Sequence, residues 1–295
     1  MPVLFALLAA FCNSLNLVTQ HVASIGDPRH RKGWRFVRYL VTNPLWLFGW
    51  VALAGAFLFQ ALALHNGLIS VVQPLLVTEL VFALVLRRLW IHQQIRAITW
   101  WAAALTCVSL ALFISMSEPS GGNVTPTSGA WVAAVVTTAG VVGVLTLAGL
   151  RGSPVRRAAV LGAATAIMWA LVAVFIKAMT DTLVQYGIGG MFTHWPVYAL
   201  AVSGLSAELL NQVTLHVGPL SISQPVIVVV DPIVSIALSV WIYAETFSED
   251  ALRLGISAAA FAAMCVSVIV LARTAPATMD PSAAPVEPAI PPAPA

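Results

Sequence analysis

The chain has 295 residues, of which 60% are hydrophobic and 8% are charged, whereas about 25% of the residues of an ordinary soluble domain are charged. This composition excludes a water-soluble globule. The net charge of +3 is spread over short loops rather than gathered on one face, which argues against nucleic acid as a partner. Unbroken apolar runs of about twenty residues predict membrane-spanning helices. We therefore expect an all-α polytopic membrane protein whose partner is the lipid bilayer.

Charged residues and clusters of Pro and Gly divide the chain into nine predicted membrane helices, with ten as the alternative. The nine span residues 2–23, 43–64, 68–90, 97–116, 129–149, 158–178, 194–215, 219–242 and 252–272. Beyond Arg273 the chain is rich in Pro and Ala, a composition that cannot bury enough apolar surface to fold. We expect this tail to be disordered.

The loop charges predict the orientation, because Lys and Arg stay on the cytoplasmic side of short loops. Only Lys177 and Arg253 fall on one predicted side. The other twelve of the 14 cations fall on the opposite side; they are Arg29, Arg31, Lys32, Arg35, Arg38, Arg87, Arg88, Arg96, Arg151, Arg156, Arg157 and Arg273. The N-terminus is therefore predicted outside and the C-terminus in the cytoplasm.

The chain contains an internal repeat at an offset of 151 residues. The segment His65-Asn-Gly-Leu-Ile-Ser-Val-Val-Gln-Pro74 aligns with His216-Val-Gly-Pro-Leu-Ser-Ile-Ser-Gln-Pro225, so predicted helices 2–4 match helices 7–9. More weakly, helix 1 resembles helix 6. A single helix between two four-helix units reverses the second unit, which predicts inverted repeats of the kind found in secondary transporters. The predicted units are residues 1–116 (first repeat), 117–157 (linker with helix 5), 158–273 (second repeat) and 274–295 (tail).

The sequence has no HExxH, P-loop, GxSxG or CxxC motif, and we expect neither an enzyme nor a cofactor. The notable polar residues are ionisable and amide side chains inside apolar helices. A charged group at the bilayer centre costs about 2.5–3.5 kcal/mol on the insertion scale, so such groups usually face a cavity or a partner.

Two acidic residues are central in their predicted helices. Glu79 lies about 16 Å along helix 3, and Asp231 lies at a nearly equivalent level of helix 8. One interpretation is a pair of acids that bind a cation, a proton or an amine on a translocation path. The other is a pair of protonated carboxyl groups that hydrogen-bond between helices.

Further polar residues accompany the two acids. Helix 7 carries three polar residues on neighbouring faces, Glu208, Asn211 and Gln212. In helix 2, Gln60 is the repeat counterpart of Asn211. Their amides suit either a polar cavity wall or hydrogen bonds between helices. Helix 1 carries a polar stripe at i, i+3 and i+7, formed by Asn13, Asn16 and Gln20.

Proline interrupts both repeats at matching positions, Gln73-Pro74 and Gln224-Pro225. Proline removes a backbone donor and frees a carbonyl one turn earlier, and interrupted helices at matching places are a pointer to a transporter site. The two Gln-Pro pairs are therefore predicted hinges, with Asp231-Pro232 as a second break in helix 8. The alternative is a kink needed only for packing. Lys177 is predicted to extend its charge to the membrane interface.

Several motifs resemble the drug/metabolite transporter superfamily (EamA-like), and within it the NIPA-type branch associated with magnesium transport. They are Asn43-Pro-Leu-Trp46 with Gly49, Gln73-Pro74, Met168-Trp-Ala-Leu-Val-Ala-Val-Phe-Ile-Lys177, and Gln224-Pro225 followed by Glu245. The resemblance implies a secondary transporter of the inner (plasma) membrane, with a homodimer as one form. Usual members have ten helices, whereas this chain has nine predicted, and Arg87 and Arg88 replace the expected Glu of the first repeat.

Three functions stay open. The first is a transporter that moves a small solute or cation by alternating access, with Glu79, Glu208 and Asp231 along its path. The second is a carrier of magnesium or another divalent cation, to which the same three carboxylates would supply the hard oxygen ligands that this ion needs. The third is a structural membrane protein that uses its polar residues only to join helices.

Overall fold

The computed structural model describes residues 1–25, 42–90, 92, 94–122, 126–217 and 219–274. The arginine-rich segment after the first helix and the predicted disordered tail lie outside these ranges. The described residues form ten α-helices and one short antiparallel ribbon. In chain order these are α1 (Pro2–Ile25), α2 (Pro44–Asn66), α3 (Ile69–Leu76), α4 (Glu79–Trp90), α5 (Ala97–Ser117), β1 (Ser120–Gly121), α6 (Ser128–Gly149), α7 (Pro154–Met191), α8 (Trp195–Val217), α9 (Leu220–Tyr243), β2 (Glu245–Thr246) and α10 (Ala251–Thr274).

Most of these helices have the length and composition to cross a membrane. Within the described residues, eight helical segments meet both conditions, and the segment Ile69–Trp90 joins α3 and α4 into one of them. Helix α8 has a comparable length of 23 residues but is not among the eight. The chain is thus an all-α multi-pass membrane protein, as predicted from its apolar runs.

The boundaries agree with the prediction to within a few residues, except in α7. This helix has 38 residues, whereas residues 158–178 were predicted. At its start the Ser153 side chain accepts a hydrogen bond from the Arg156 backbone, and Pro154 occupies the first helical turn, which are favourable residues for a helix start. At its far end the helix continues past Lys177 to a kink at Gly187, where φ is 70°. A charge therefore does not end this helix.

The two proline-containing spans differ. In the first half the span is interrupted at Val77 and Thr78, between α3 and α4, and Pro74 remains inside α3. In the second half α9 is continuous through Pro225 and Pro232, so the predicted break at Asp231-Pro232 is wrong. A helix can keep its path through a proline when the remaining backbone hydrogen bonds and the neighbouring helices hold it.

The packing of the helices follows a similar pattern in each half. Helix α1 packs against α2, α3 and α4, and α7 packs against α8 and α9. Helix α5 of the first half packs along α10 of the second, while α6 packs mainly on α7. The largest buried cluster joins residues from both halves, including Leu64, Val72, Val174 and Met264.

One end of the bundle carries the ribbon of β1 and β2, and we call it the ribbon end. Ser120 pairs with Thr246 and Gly121 with Glu245, so the ribbon links the predicted linker 117–157 to the second half. Arg253 also forms an ion pair with Glu118 of the same linker. The α2–α3 turn lies at this end, and the opposite end contains the α4 terminus and the α8–α9 turn. In the predicted orientation the ribbon end faces outside.

Candidate functional site

The break between α3 and α4 positions Glu79 as the first residue of α4. Around the break the backbone adopts tight i to i+3 hydrogen bonds, from the Val77 amide to the Pro74 carbonyl at 3.2 Å and from the Thr78 amide to the Leu75 carbonyl at 3.1 Å. The Thr78 hydroxyl also donates to the Leu75 carbonyl at 2.6 Å. Val77 keeps helical dihedral angles (φ −58°, ψ −23°), so the span tightens here to a 3₁₀ turn, a feature that often marks a hinge within a helix. The break therefore marks a specialised part of the span.

The two predicted acids approach each other from different halves. The Asn13 side chain of α1 lies within hydrogen-bonding reach of the Glu79 carboxyl group. On α9 the Ser235 hydroxyl donates to Asp231 Oδ1 at 3.1 Å. The charges of Glu79 and Asp231 are close enough to interact. Both side chains are partly buried, so this pair, with Asn13 and Ser235, forms the centre of the candidate site, which we call the acidic pair.

The polar stripe of α1 continues beside the acidic pair. The Gln20 amide donates to the Asn16 carbonyl oxygen at 2.7 Å, so these two side chains are paired within the helix. Gly49 of α2 lies against the same stretch, and a Cβ atom there would be 2.7 Å from the Thr19 hydroxyl oxygen. Only glycine allows this close approach of α1 and α2, as is common between membrane helices.

The other predicted site residues lie further from the centre. Glu208 is exposed, and its carboxylate accepts a hydrogen bond at 2.6 Å from the Gln212 amide, also exposed. Asn211 on α8 and Gln60 on α2 are partly buried. Among the described residues, no group of three or more His, Cys, Asp and Glu side chains could hold a metal ion. Glu79, Glu208 and Asp231 therefore do not converge as a ligand set.

The four predicted hinge residues have different environments. Gln73 is 4% exposed, and its side-chain nitrogen has no hydrogen-bond partner within the described part of the chain. Pro74 is buried in α3 three residues before the break. Gln224 is partly buried and Pro225 is buried within the first turns of continuous α9. Only the first Gln-Pro pair is thus adjacent to an interrupted backbone.

A second polar cluster, which the sequence analysis missed, holds the α2–α3 turn. Lys177 Nζ of α7 donates to the backbone carbonyls of Leu64 at 2.7 Å and Gly67 at 3.1 Å. The Glu245 carboxylate, 1% exposed, accepts from the backbone amides of Ile69 at 2.9 Å and Ser70 at 3.0 Å. Lys177 and Glu245 both belong to the second half. We call these two residues the turn clamp.

The turn clamp uses the free backbone groups at two helix termini. The last carbonyls of α2 and the first amides of α3 lack partners within their own helices. Because of the helix dipole, the C-terminal end of α2 favours a cation and the N-terminal end of α3 favours an anion. The extension of Lys177 to the membrane interface stays a prediction, and the structure adds that its ammonium group binds these carbonyls at the ribbon end.

Aromatic side chains surround the turn clamp. Lys177 Nζ lies 5.5 Å from the centre of the Tyr243 ring, and the Tyr243 hydroxyl donates to the Val174 carbonyl at 3.3 Å. Trp131 packs edge-on against the same ring, with centroids 6.0 Å apart. Closer to the surface, His65 Nδ1 contacts Asp181 Oδ1 at 3.0 Å. One signal in the sequence could have identified the clamp, namely a Lys and a Glu at the same predicted end of two neighbouring apolar helices.

Comparisons with known proteins give a relative over nearly the whole chain. The chain is 29% identical over 279 residues to an uncharacterized protein of Corynebacterium glutamicum, and the alignment covers 93% of this chain and 95% of that protein. No family model matches the chain, and no solved structure matches it. The aligned region therefore spans both halves of the chain.

Proposed function

We propose that the chain is a secondary transporter that moves a small solute or cation by alternating access, with the acidic pair at its substrate site. The observation that carries the proposal is that each half supplies one carboxyl group to the same region, Glu79 from α4 and Asp231 from α9. Ionisable groups within membrane helices are expensive and usually functional. A break in the span beside one of them, at Val77 and Thr78, is a feature of transporter sites.

The arrangement of the halves supports the same proposal. We infer that residues 1–116 and 158–273 are inverted repeats related across the acidic pair, because α1 and α7 pack with their neighbours in a corresponding way. The packing of the two halves does not correspond everywhere, and the differences lie where one half contacts the other. Helix α2 also packs on α7, and α3 also packs on α9, whereas α4 packs on α1. Halves that meet firmly at one end provide the geometry from which two units can rock.

The acidic pair favours a substrate with positive charge, because two carboxyl groups and the Asn13 amide can accept hydrogen bonds or bind a cation. Magnesium stays an alternative from the sequence resemblance. It usually keeps several waters and binds through one or two carboxylates, so the acidic pair alone would have to supply them. A scaffold without transport would use the same carboxyl groups only to join α1, α4 and α9.

The proposal is tested with purified protein. Thermal unfolding is measured in the presence of small amines, metabolites, monovalent cations and Mg²⁺, since a ligand of the folded state raises its stability. Each stabilising compound is then used in uptake by proteoliposomes. We expect at least one compound both to raise Tm and to accumulate in vesicles that contain the protein. Stabilisation without uptake, for every such compound, would contradict a transporter.

A further inference from the structure

The turn clamp is the most polar buried connection described between the two halves. It joins the α2–α3 turn of the first half to α7 and β2 of the second through four hydrogen bonds between charged groups and backbone. Hydrogen bonds to charged groups are stronger than neutral ones. The clamp therefore fixes the position of α3 relative to the second half at the ribbon end.

Helix α3 is suited to move as one unit. It has eight residues and is bounded by the clamped turn at its start and by the interrupted backbone at Val77 and Thr78. The side chains of Ser70 and Gln73 are buried on α3, and their Ser70 Oγ and Gln73 Nε2 atoms have no hydrogen-bond partner among the described residues. Buried polar atoms without partners are costly. This helix thus carries polar groups that would gain partners if water or a ligand reached them.

We propose that Lys177 and Glu245 form a gate at the ribbon end, which is closed in this structure and separates from the α2–α3 turn when that end opens. The inference rests on the proposed alternating-access function. Both charged side chains hold the turn only through hydrogen bonds to backbone atoms. When these hydrogen bonds break, the α2–α3 turn and α3 become exposed. Opening would connect the ribbon end with Ser70, Gln73 and, beyond the break, Glu79.

The gate is tested by the accessibility of two buried reporters. Ser70→Cys places a thiol on a residue whose backbone the clamp binds, and Ser223→Cys places one in the first turn of α9, towards the opposite end. Both serines are 0% exposed. Neither hydroxyl has a hydrogen-bond partner within the described residues. The native cysteines Cys12, Cys107 and Cys265 are replaced by Ala. Reaction with a polar maleimide is measured in Glu245→Gln and Lys177→Met, two independent variants. The matched control is Glu249→Gln, which changes an exposed glutamate beside β2.

We expect the reporter at 70 to react about tenfold faster or more in both clamp variants, because each loses charged hydrogen bonds. The reporter at 223 should stay protected, and the Glu249→Gln control should leave both rates unchanged. Unchanged reaction at 70 in both variants would overturn the gate. Faster reaction at both 70 and 223 would also overturn it, because general loosening of the fold has that signature.

The outcome for the gate is separate from that for transport. If no stabilising compound is taken up by vesicles containing the unmodified protein, the transport proposal fails, whatever the reporters show. If uptake occurs but the reporter at 70 does not respond to the clamp variants, transport stands and the gate is wrong. The two measurements therefore assign a failure to one proposal or the other.

Discussion

The two ends of the bundle are closed in different ways. At the ribbon end the halves meet through the turn clamp, and the β1–β2 ribbon and the ion pair of Glu118 with Arg253 join the linker to the second half. At the opposite end the described contacts between halves lie around α5 and α10, where Leu84 and Leu271 share one small buried cluster and the Thr99 hydroxyl donates to the Thr274 carbonyl at 3.5 Å. There α4 packs on α1, and α8 packs on α7.

If the halves are inverted repeats, as proposed, this difference makes the two ends unequal in this structure. Related segments of the two halves occupy the two ends, yet Lys177 and Glu245 have no described equivalent pair at the opposite end. Directional hydrogen bonds to charged groups need fixed geometry, whereas α5 and α10 meet through apolar packing and hydrogen bonds between neutral groups, such as Thr106 with Ser267 at 2.8 Å. We infer that the turn clamp holds the ribbon end closed in this structure.

The largest expected effect is an all-or-none difference in labelling between the two ends. A cysteine in place of Glu249, at the ribbon end, should react with an impermeant reagent added to intact cells. A cysteine in place of Arg151, between α6 and α7, should not react until the membrane is permeabilised. The physical reason is the predicted retention of Lys and Arg in the cytoplasm. The reverse pattern would invert the assignment of inside and outside.

Replacement of the acidic pair tests whether the ends communicate through a shared site. Glu79→Gln and Asp231→Asn keep the size and hydrogen bonding of each side chain but remove the titratable charge. We expect each to reduce uptake by about 100-fold or more if the carboxylate binds a charged substrate, with yield and insertion unchanged. Glu249→Gln is the matched control. Normal uptake with both acids replaced would make them structural.

Close packing of α1 and α2 predicts a smaller effect, on stability. Gly49→Ala would bring a methyl group to 2.7 Å from the Thr19 hydroxyl, and such overpacking costs about 1–3 kcal/mol. Gly140→Ala in α6 is the control, because a Cβ atom there meets nothing within 4 Å. Thermal unfolding should show a lower Tm for Gly49→Ala only. An equal change in the two variants would argue against a tight α1–α2 contact.

Proline substitutions give the smallest expected effect and compare the two halves directly. Pro74→Ala restores a backbone donor next to the interrupted span, and it should slow uptake several-fold by stiffening α3. Pro225→Ala changes a helix that is already continuous, so uptake by this variant should change less than uptake by Pro74→Ala. Initial uptake rates in proteoliposomes measure both. A larger effect of Pro225→Ala would place the moving element in α9 instead.

Much of this fold could be predicted from the sequence, because apolar length and loop charge determine which segments cross a membrane. The approximate ends of α1, α2, α5, α6, α8, α9 and α10 follow from that rule. The length of α7 does not follow from that rule, because Lys177 and Asp181 lie inside the helix and have partners in the fold, the α2–α3 turn and His65 respectively. In the first half the interruption lies close to the predicted hinge at Pro74. In the second half α9 is continuous through the matching Pro225, which the sequence alone does not indicate.

The candidate site was partly predictable for a related reason. Glu79 and Asp231 are recognisable because each is a lone acid within an apolar run. The turn clamp was not recognised, since its partners are backbone atoms of Leu64, Gly67 and Ile69, and backbone atoms leave no signature in residue type. The sequence could have indicated that Lys177 and Glu245 lie at the same predicted end, but their backbone partners become visible only in the tertiary structure.

The central claim is that the two ends open in alternation around the acidic pair, and paired distance measurements test it most directly. Spin labels replace Asn66 and Glu249 at the ribbon end, and in a second sample Leu89 and His216 at the opposite end; all four side chains are exposed. Distances are measured with and without a compound that stabilises the protein. The account predicts that the Asn66–Glu249 distance increases in part of the population while the Leu89–His216 distance decreases. No change at either end, or a change in the same direction at both, would contradict alternating access.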